Sequence, residues 1–151
     1  MVPAHLLTAI DHVGIAVPDL DEALRFYAET FGLHSVHEEV NEEQGVREAM
    51  LAVGDSDSCI QLMAPLREDS PIGKFLARRG QGIQQLAYRV TDLAKVSEVL
   101  RERGITLLYD KPHRGTAGSL INFIHPKDAG GVLVELVEPG ISEGQATEEK
   151  E

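Results

Sequence analysis

AIDHVGIAV, at residues 9–17, and GIQQLAYRV, at residues 82–90, are two versions of one strand-like stretch. Both are rich in apolar residues, and each leads into an Asp-Leu pair of the kind that begins a helix. Similar segments at a fixed offset indicate an internal duplication. The copies differ at one point, because His12 of the first stretch has Gln85 as its counterpart in the second.

The duplication continues along both halves of the chain. We predict a helix that begins at the capping residue Asp19 and stops at Gly32, and a second helix over 93–103 that stops at Gly104. The apolar stripe of the first helix comprises Leu20, Leu24, Tyr27 and Phe31. Three strands follow each helix, at 35–40, 47–53 and 59–63 in the first half and at 107–109, 120–124 and 132–137 in the second. The predicted fold is therefore α+β, with two paired βαβββ modules.

These units fit one domain. We expect a single domain over 1–140, with module one at about 8–66 and module two at about 82–140. A linking helix at about 70–80 joins them, with Ser70 as its cap and Pro71 at its first position. The remaining residues, 141–151, are acidic and lack a run of apolar residues, so we predict a disordered tail.

Composition limits the possible partners. The chain has 151 residues and a formal net charge of -11, which argues against binding to nucleic acid or to an anionic membrane. No apolar run is long enough to span a bilayer, and the first residues do not have the pattern of a secretory signal. The single Cys59 fits a reducing compartment, and we expect a cytoplasmic protein.

Strand alternation predicts a polar group between the two modules. His12 shares a face with Gly14 and Ala16, and Gln85 shares a face with Ala87, so small neighbours surround both. The last strands carry Gln61 and Glu135 at an offset of 74 residues. Taken singly, each of these polar residues is more often a hydrogen-bonded core residue. As symmetry mates, His12, Gln61, Gln85 and Glu135 would meet and offer mixed nitrogen and oxygen ligands to a divalent metal.

Three stretches resemble a known family. They are IDHVGIAVPDLDEALRFY at 10–27, EEVNEEQGVREAML at 38–51 and GTAGSLINFIHPKDAGGVLVELVEP at 115–139. Together they resemble the glyoxalase-like proteins of the vicinal-oxygen-chelate superfamily, and within it the methylmalonyl-CoA epimerases. The resemblance implies metal ligands at His12, Gln61, Glu135 and position 85. The familiar pattern has His-His where this chain has Gln84-Gln85, so we expect a site for Co, Mn or Mg rather than tightly bound Zn.

The same resemblance implies a reaction and a substrate. It implies that methylmalonyl-CoA is epimerised by proton transfer through an enolate, with Glu48 and Glu135 as the two bases. We take Asn122 as the counterpart of Glu48 in the second module, so the acid-base groups would be asymmetric. Without the resemblance, Glu48 is more simply a surface residue paired with Arg47 or Arg25. A homodimer is expected, and the candidates for binding coenzyme A are Lys111, Arg114, Ser119 and Lys127.

Three other functions remain open for this fold. A glyoxalase-type lactoylglutathione lyase would also use proton transfer at a metal, and the glutamates do not distinguish it. A metal-free module that binds a small molecule would leave Glu48 and Glu135 without a role. An extradiol dioxygenase needs two His and one carboxylate on iron, and the four-residue set contains a single His.

Overall fold

The fold is taken from a computed structural model that describes residues 1–140, so the predicted acidic tail lies outside the described residues. Each half contributes one helix and four strands. The first half contains β1 (Leu7–Ala16), α1 (Leu20–Phe31), β2 (Ser35–Asn41), β3 (Val46–Ala52) and β4 (Cys59–Pro65), followed by the linking helix α2 (Pro71–Arg79). The second half contains β5 (Gly82–Val90), α3 (Leu93–Glu102), β6 (His113–Arg114), β7 (Leu120–Ile124) and β8 (Val134–Glu138).

All eight strands form one sheet whose two halves are related by a pseudo-twofold axis. The strand order is β2-β3-β4-β1-β5-β8-β7-β6, with β1 antiparallel to β5 at the centre. Across this seam His12 lies opposite Ala87, and Gly14 lies opposite Gln85. The outer strands also pair alike, since β4 is parallel to β1 and β8 is parallel to β5. The predicted α+β fold of two paired βαβββ modules is confirmed.

Capping residues fix the helix ends. The Asp19 side chain accepts a hydrogen bond from the Glu22 backbone N–H, and Gly32 ends α1 with a left-handed φ of 69°. Ser70 caps α2 in the same way, with Pro71 at the first helical position. Asp92 caps α3 by accepting from the Lys95 backbone N–H.

The helices cover one face of the sheet and leave the other free. Below α1 the core contains Val17, Leu20, Ala49, Leu51 and Leu62, and below α3 it contains Val90, Leu93, Val96, Leu100 and Leu136. On the opposite face the two ends of the sheet approach each other. Gln44, between β2 and β3, donates from its Nε2 to the Oη of Tyr109, which lies before β6, at 3.1 Å. The sheet therefore curls around a hollow between its halves. Within the described residues, no helix has the length and apolar character needed to cross a membrane.

Three details of the sequence-based prediction are wrong. No strand forms at 107–109, where Leu107 makes only an isolated bridge to Ile124; the short strand lies at His113–Arg114 instead. The last strand begins at Val134 rather than at residue 132, because two glycines with positive φ, Gly130 and Gly131, form a turn just before it. Phe31 is 60% exposed and packs edge-on against Phe26 on the surface of α1, so it does not belong to the buried stripe.

Candidate active site

The free face of the sheet carries a row of four buried polar side chains, which we call the polar row: His12, Gln61, Gln85 and Glu135. Their exposed fractions are 2%, 3%, 5% and 7%. Gly14 makes room for this row, because a Cβ atom at that position would lie 2.5 Å from Gln85 Cγ. The structure thus brings together the four residues that the duplication predicted to meet.

The other three members of the row converge on the amide of Gln85. Its Nε2 lies 2.7 Å from Glu135 Oε2, 3.2 Å from His12 Nε2 and 3.3 Å from Gln61 Oε1. His12 Nε2 and Glu135 Oε1 are 3.6 Å apart. Imidazole, carboxylate and amide groups arranged in this way fit a divalent cation that accepts mixed nitrogen and oxygen ligands. In residues 1–140 no three His, Cys, Asp or Glu side chains are grouped to hold a metal, so an ion here would depend on the amides.

The carboxylate of Asp11, which lies outside the polar row, orients His12. Its Nδ1 lies 2.7 Å from Asp11 Oδ2, and Asp11 Oδ1 accepts from Arg89 Nε at 2.8 Å. Burial by itself lowers the pKa of His12, but the hydrogen bond to Asp11 and the charges of Glu135 and Asp11 raise that pKa overall. In the neutral imidazole, Asp11 favours the tautomer with the proton on Nδ1, which directs the Nε2 lone pair to the polar row.

Asp11 was not foreseen from the sequence, because neighbouring side chains of a regular strand point to opposite faces. The pairing of β1 with β5 shifts register between Ile10 and His12, which marks a bulge or similar irregularity at Asp11. Such an irregularity re-aims side chains. It allows Asp11 to reach the imidazole of the next residue.

We expect Asp11→Asn to weaken divalent-metal binding while the fold is retained. Loss of a carboxylate that orients a ligating imidazole typically costs about 10- to 100-fold in metal affinity. Titration of metal-free protein with Co²⁺ measures the effect. Asp55→Asn removes the same charge from an exposed turn and serves as the matched control. An unchanged dissociation constant in Asp11→Asn would show that this contact does not prepare His12 for a metal.

Glu48 lies on β3 next to the polar row and is 3% exposed. Its Oε2 accepts from Gln61 Nε2 at 2.9 Å, and its Oε1 accepts from the hydroxyl of Thr116. Burial raises the pKa of Glu48. Arg47 instead pairs with Asp21 on the surface, at 2.9 Å. The interpretation of Glu48 as a surface residue paired with arginine is therefore wrong.

The predicted counterpart of Glu48 is also wrong. Glu48 pairs with Met63 across β3 and β4, and the equivalent pair in the second half is Ile121 with Val137. Asn122 points to the other face, where its side chain accepts from Tyr109 N and donates to Tyr109 O. A shift of one residue along a strand exchanges its two faces. The apolar Ile121 therefore occupies the equivalent position, and Glu48 has no ionisable symmetry mate.

A loop from the second half closes over the hollow and was not foreseen. Its Thr116 hydroxyl is shared by Glu48 and by Gln61 Nε2, which lies 3.2 Å away. Ala117 has a positive φ of 55°, and its N–H donates to Glu39 Oε1 at 2.7 Å. These contacts join residues 68 and 78 positions apart in the sequence. Strand periodicity carries no information about contacts of this kind.

Two cavities open on either side of the polar row. The first has a volume of about 150 Å³, and its lining combines polar residues with apolar ones, among them Val46, Met63, Ile72, Phe123 and Leu133. The second has a volume of about 280 Å³ and contains His12, Met50, Arg89 and Ser119 in its lining. Glu135 and Thr116 border both cavities. A ligand whose reacting atoms lie at the row could therefore extend to either side.

The four candidates for binding coenzyme A fall into two groups. Lys111, Arg114 and Lys127 are exposed and lie outside the linings of both cavities. Ser119 is buried and belongs to the wall of the second cavity. The surface cations and the buried serine are thus suited to different parts of a ligand.

A family model for the glyoxalase/bleomycin resistance protein/dioxygenase superfamily matches residues 11–123. The chain belongs to this superfamily. Among its relatives, an ethylmalonyl-CoA/methylmalonyl-CoA epimerase from Cereibacter sphaeroides is 35% identical over 87% of this chain and 98% of that protein. Enzymes of the superfamily typically use a divalent metal ion.

Solved structures of the superfamily agree with this placement. The crystal structure of methylmalonyl-CoA epimerase from Mycobacterium tuberculosis is 59% identical, covers 93% of both chains and has a TM-score of 0.88. A methylmalonyl-CoA epimerase in complex with methylmalonyl-CoA and NH4+ is 49% identical, with coverage of 89% of this chain and 96% of that chain and a TM-score of 0.86. The family predicted from the sequence is confirmed.

Proposed function

We propose that this chain is an isomerase that interconverts the (R) and (S) forms of methylmalonyl-CoA. The observation that carries the proposal is its likeness, over nine-tenths of the chain, to the epimerase from Mycobacterium tuberculosis. The site has the groups that this reaction needs. Two buried carboxylates, Glu48 and Glu135, border a partly apolar cavity in which a thioester could be kept from bulk water.

We assign four ligands to a divalent metal: His12 through Nε2, Gln61 through Oε1, Glu135 through its carboxylate and Gln85 through its amide oxygen. Gln61 has a suitable orientation for this role, because its amide nitrogen is engaged by Glu48 and Thr116. A cation held there would supply positive charge that stabilises the enolate as the substrate loses its proton. With two amides and one imidazole as neutral ligands, Co, Mn or Mg is favoured over Zn.

Glu48 and Glu135 would act as the two proton-transfer groups. One carboxylate removes the proton from the carbon between the thioester and the carboxylate of the substrate, and the electron pair delocalises into the thioester carbonyl. The other group, in its acid form, returns a proton to the opposite face of the same carbon. Burial raises the pKa of Glu48, which makes this carboxylate a stronger base than in water.

An assay with two substrates tests the proposal. Purified protein is incubated with (S)-methylmalonyl-CoA in D2O, and loss of optical purity and deuterium uptake at the reacting carbon are followed. The hemithioacetal of glutathione and methylglyoxal is the second substrate, to detect a lactoylglutathione lyase. We expect turnover of the thioester only. Turnover of the hemithioacetal alone would assign the lyase activity instead, and a metal-free protein inert toward both substrates would favour a binding module.

Lys111, Arg114 and Lys127 are proposed to contact the phosphates of coenzyme A, and Ser119 to line the path of the ligand. We expect Lys111→Ala and Arg114→Ala to raise KM about threefold to tenfold at low salt, with little change in kcat, because exposed charges attract an anion weakly. The effect should shrink at high salt. Lys95→Ala, on the outer face of α3, is the matched control. A KM equal to that of wild type would place the phosphates elsewhere.

We also propose that residues 1–140 form a single domain and that the protein is a cytoplasmic homodimer. Both halves contribute to one sheet and to the polar row, which supports a single domain over residues 1–140. The sequence resemblance favours a homodimer, and the single Cys59 favours a cytoplasmic location. Light scattering coupled to size-exclusion chromatography measures the oligomeric state directly.

A further inference from the structure

The amide nitrogen of Gln85 has more acceptors around it than it has protons. Three acceptor atoms lie within 3.3 Å of Nε2, one each from Glu135, His12 and Gln61. A terminal amide has two N–H groups on nitrogen and only acceptor capacity on oxygen. The contacts of each neighbour therefore determine which end of the Gln85 amide can face the polar row.

All three neighbours present an acceptor at this point. In the neutral imidazole of His12, Asp11 at 2.7 Å favours the proton on Nδ1, and Nε2 then carries a lone pair. The NH2 group of Gln61 donates to Glu48 and Thr116, so Gln61 presents Oε1 to the row. The Glu135 carboxylate can only accept when ionised. Without a cation, the Gln85 oxygen would face three acceptors, and the nitrogen is the end that is stabilised there.

A bound cation reverses this preference. The lone pairs of His12, Gln61 and Glu135 would then be directed to the ion, and N–H groups pointing at a positive charge are repelled. Only the oxygen of an amide coordinates a metal under these conditions. The two ends of the Gln85 side chain thus suit opposite states of the same site.

We therefore infer that the Gln85 amide flips when the site binds a divalent cation, so that its oxygen and nitrogen exchange places. The inference rests on the proposed metal site and adds a mechanism to it. In the metal-free protein the nitrogen holds the polar row together by hydrogen bonds, and in the loaded protein the oxygen is the fourth ligand. Metal binding must therefore break the hydrogen bonds that Gln85 donates. A neutral imidazole at position 85 has a single N–H and holds the empty row less well.

The flip of the Gln85 amide can be observed on the side chain itself. Protein carrying 15N-labelled glutamine is studied by NMR in EDTA and after addition of Zn²⁺, which is diamagnetic. We expect the Gln85 NH2 protons to exchange slowly with solvent in EDTA and at least about tenfold faster with the ion bound, because their three acceptors are lost. Signals that keep their positions and protection in the loaded protein would overturn the inference. Failure of wild-type protein to bind any divalent ion would overturn the proposed metal site.

Substitution provides a second, independent measurement. Leucine has a similar size but neither a donor nor a ligand oxygen, so Gln85→Leu should affect both states. We expect a melting temperature in EDTA lower by about 3 °C or more and a Co²⁺ dissociation constant raised about tenfold. A change in melting temperature alone, or in the dissociation constant alone, would show that Gln85 serves one state only and does not flip. Gln81→Leu, at an exposed position before β5, is the control that should change neither quantity.

Gln85→His separates the two roles in the opposite direction. The imidazole is the better donor for late first-row divalent ions, so Co²⁺ should bind more tightly than to wild type. The same variant should melt at a lower temperature in EDTA than wild type. A neutral imidazole has one N–H group, so it donates one hydrogen bond fewer to the acceptors of the polar row than the Gln85 amide does. A Co²⁺ dissociation constant equal to that of wild type would remove position 85 from the ligands and overturn the inference.

Discussion

Glu48→Gln is expected to lower the rate of epimerisation by about 10² or more while divalent-metal binding is retained. The amide has nearly the shape of the carboxylate, and its oxygen can still accept from Gln61 Nε2 while its NH2 group faces the Thr116 hydroxyl, which can also accept, but it cannot take a proton at neutral pH. Glu48 has no ionisable counterpart in the second half, where the apolar Ile121 occupies the equivalent position. Proton transfer on that face of the substrate therefore has no replacement within the polar row.

Two measurements separate this role from a structural one. Deuterium uptake at the reacting carbon reports proton removal directly, and Co²⁺ stoichiometry reports the integrity of the metal site. Glu38→Gln, at an exposed position on β2, removes the same charge outside the hollow and is expected to behave as wild type. If the rate of Glu48→Gln were within a few-fold of wild type, Glu48 would not be a base. If the variant lost metal as well as rate, Glu48 would act by holding Gln61.

The polar row could be predicted because it depends on symmetry and on strand alternation alone. His12 and Gln85 occupy equivalent places on β1 and β5, and Gln61 and Glu135 occupy equivalent places on β4 and β8. One pseudo-twofold sheet brings the four together whatever the detailed lengths of the loops. The offset of 74 residues between Gln61 and Glu135 is preserved in the strand pairings, where Gly14 lies opposite Gln61 and Ala87 lies opposite Glu135.

The remaining parts of the site depend on features that periodicity does not encode. Asp11 reaches His12 because the pairing is irregular at that point of β1. The counterpart of Glu48 was misplaced by one residue, and this small error moved it to the wrong face of β7. Thr116 reaches Glu48 from a loop whose position is fixed by Glu39 on the other half. None of these three features can be predicted from the sequence pattern, because each depends on backbone irregularity or on distant parts of the chain.

The second large effect is expected in the metal site. His12→Ala and Glu135→Ala should each abolish stoichiometric binding of divalent metal. His12 supplies the imidazole of the polar row and Glu135 supplies its negative charge. Either variant therefore leaves one strong ligand beside two glutamine amides, which bind a metal weakly. Binding of Co²⁺ by calorimetry and metal content after purification measure the loss. His34→Ala and Glu29→Ala, both exposed, are the matched controls.

The variants should still fold, which makes the loss of metal interpretable. Removing Glu135 eliminates a buried carboxylate whose pKa burial raises to about 7, and so removes an unfavourable charge from the interior. It also deprives Gln85 of its shortest hydrogen bond, at 2.7 Å, so the two effects on the free energy of unfolding oppose each other. Removing His12 leaves Asp11 with Arg89 as its remaining partner. Circular dichroism should therefore match wild type, and one equivalent of tightly bound Co²⁺ in either variant would exclude that residue from the ligand set.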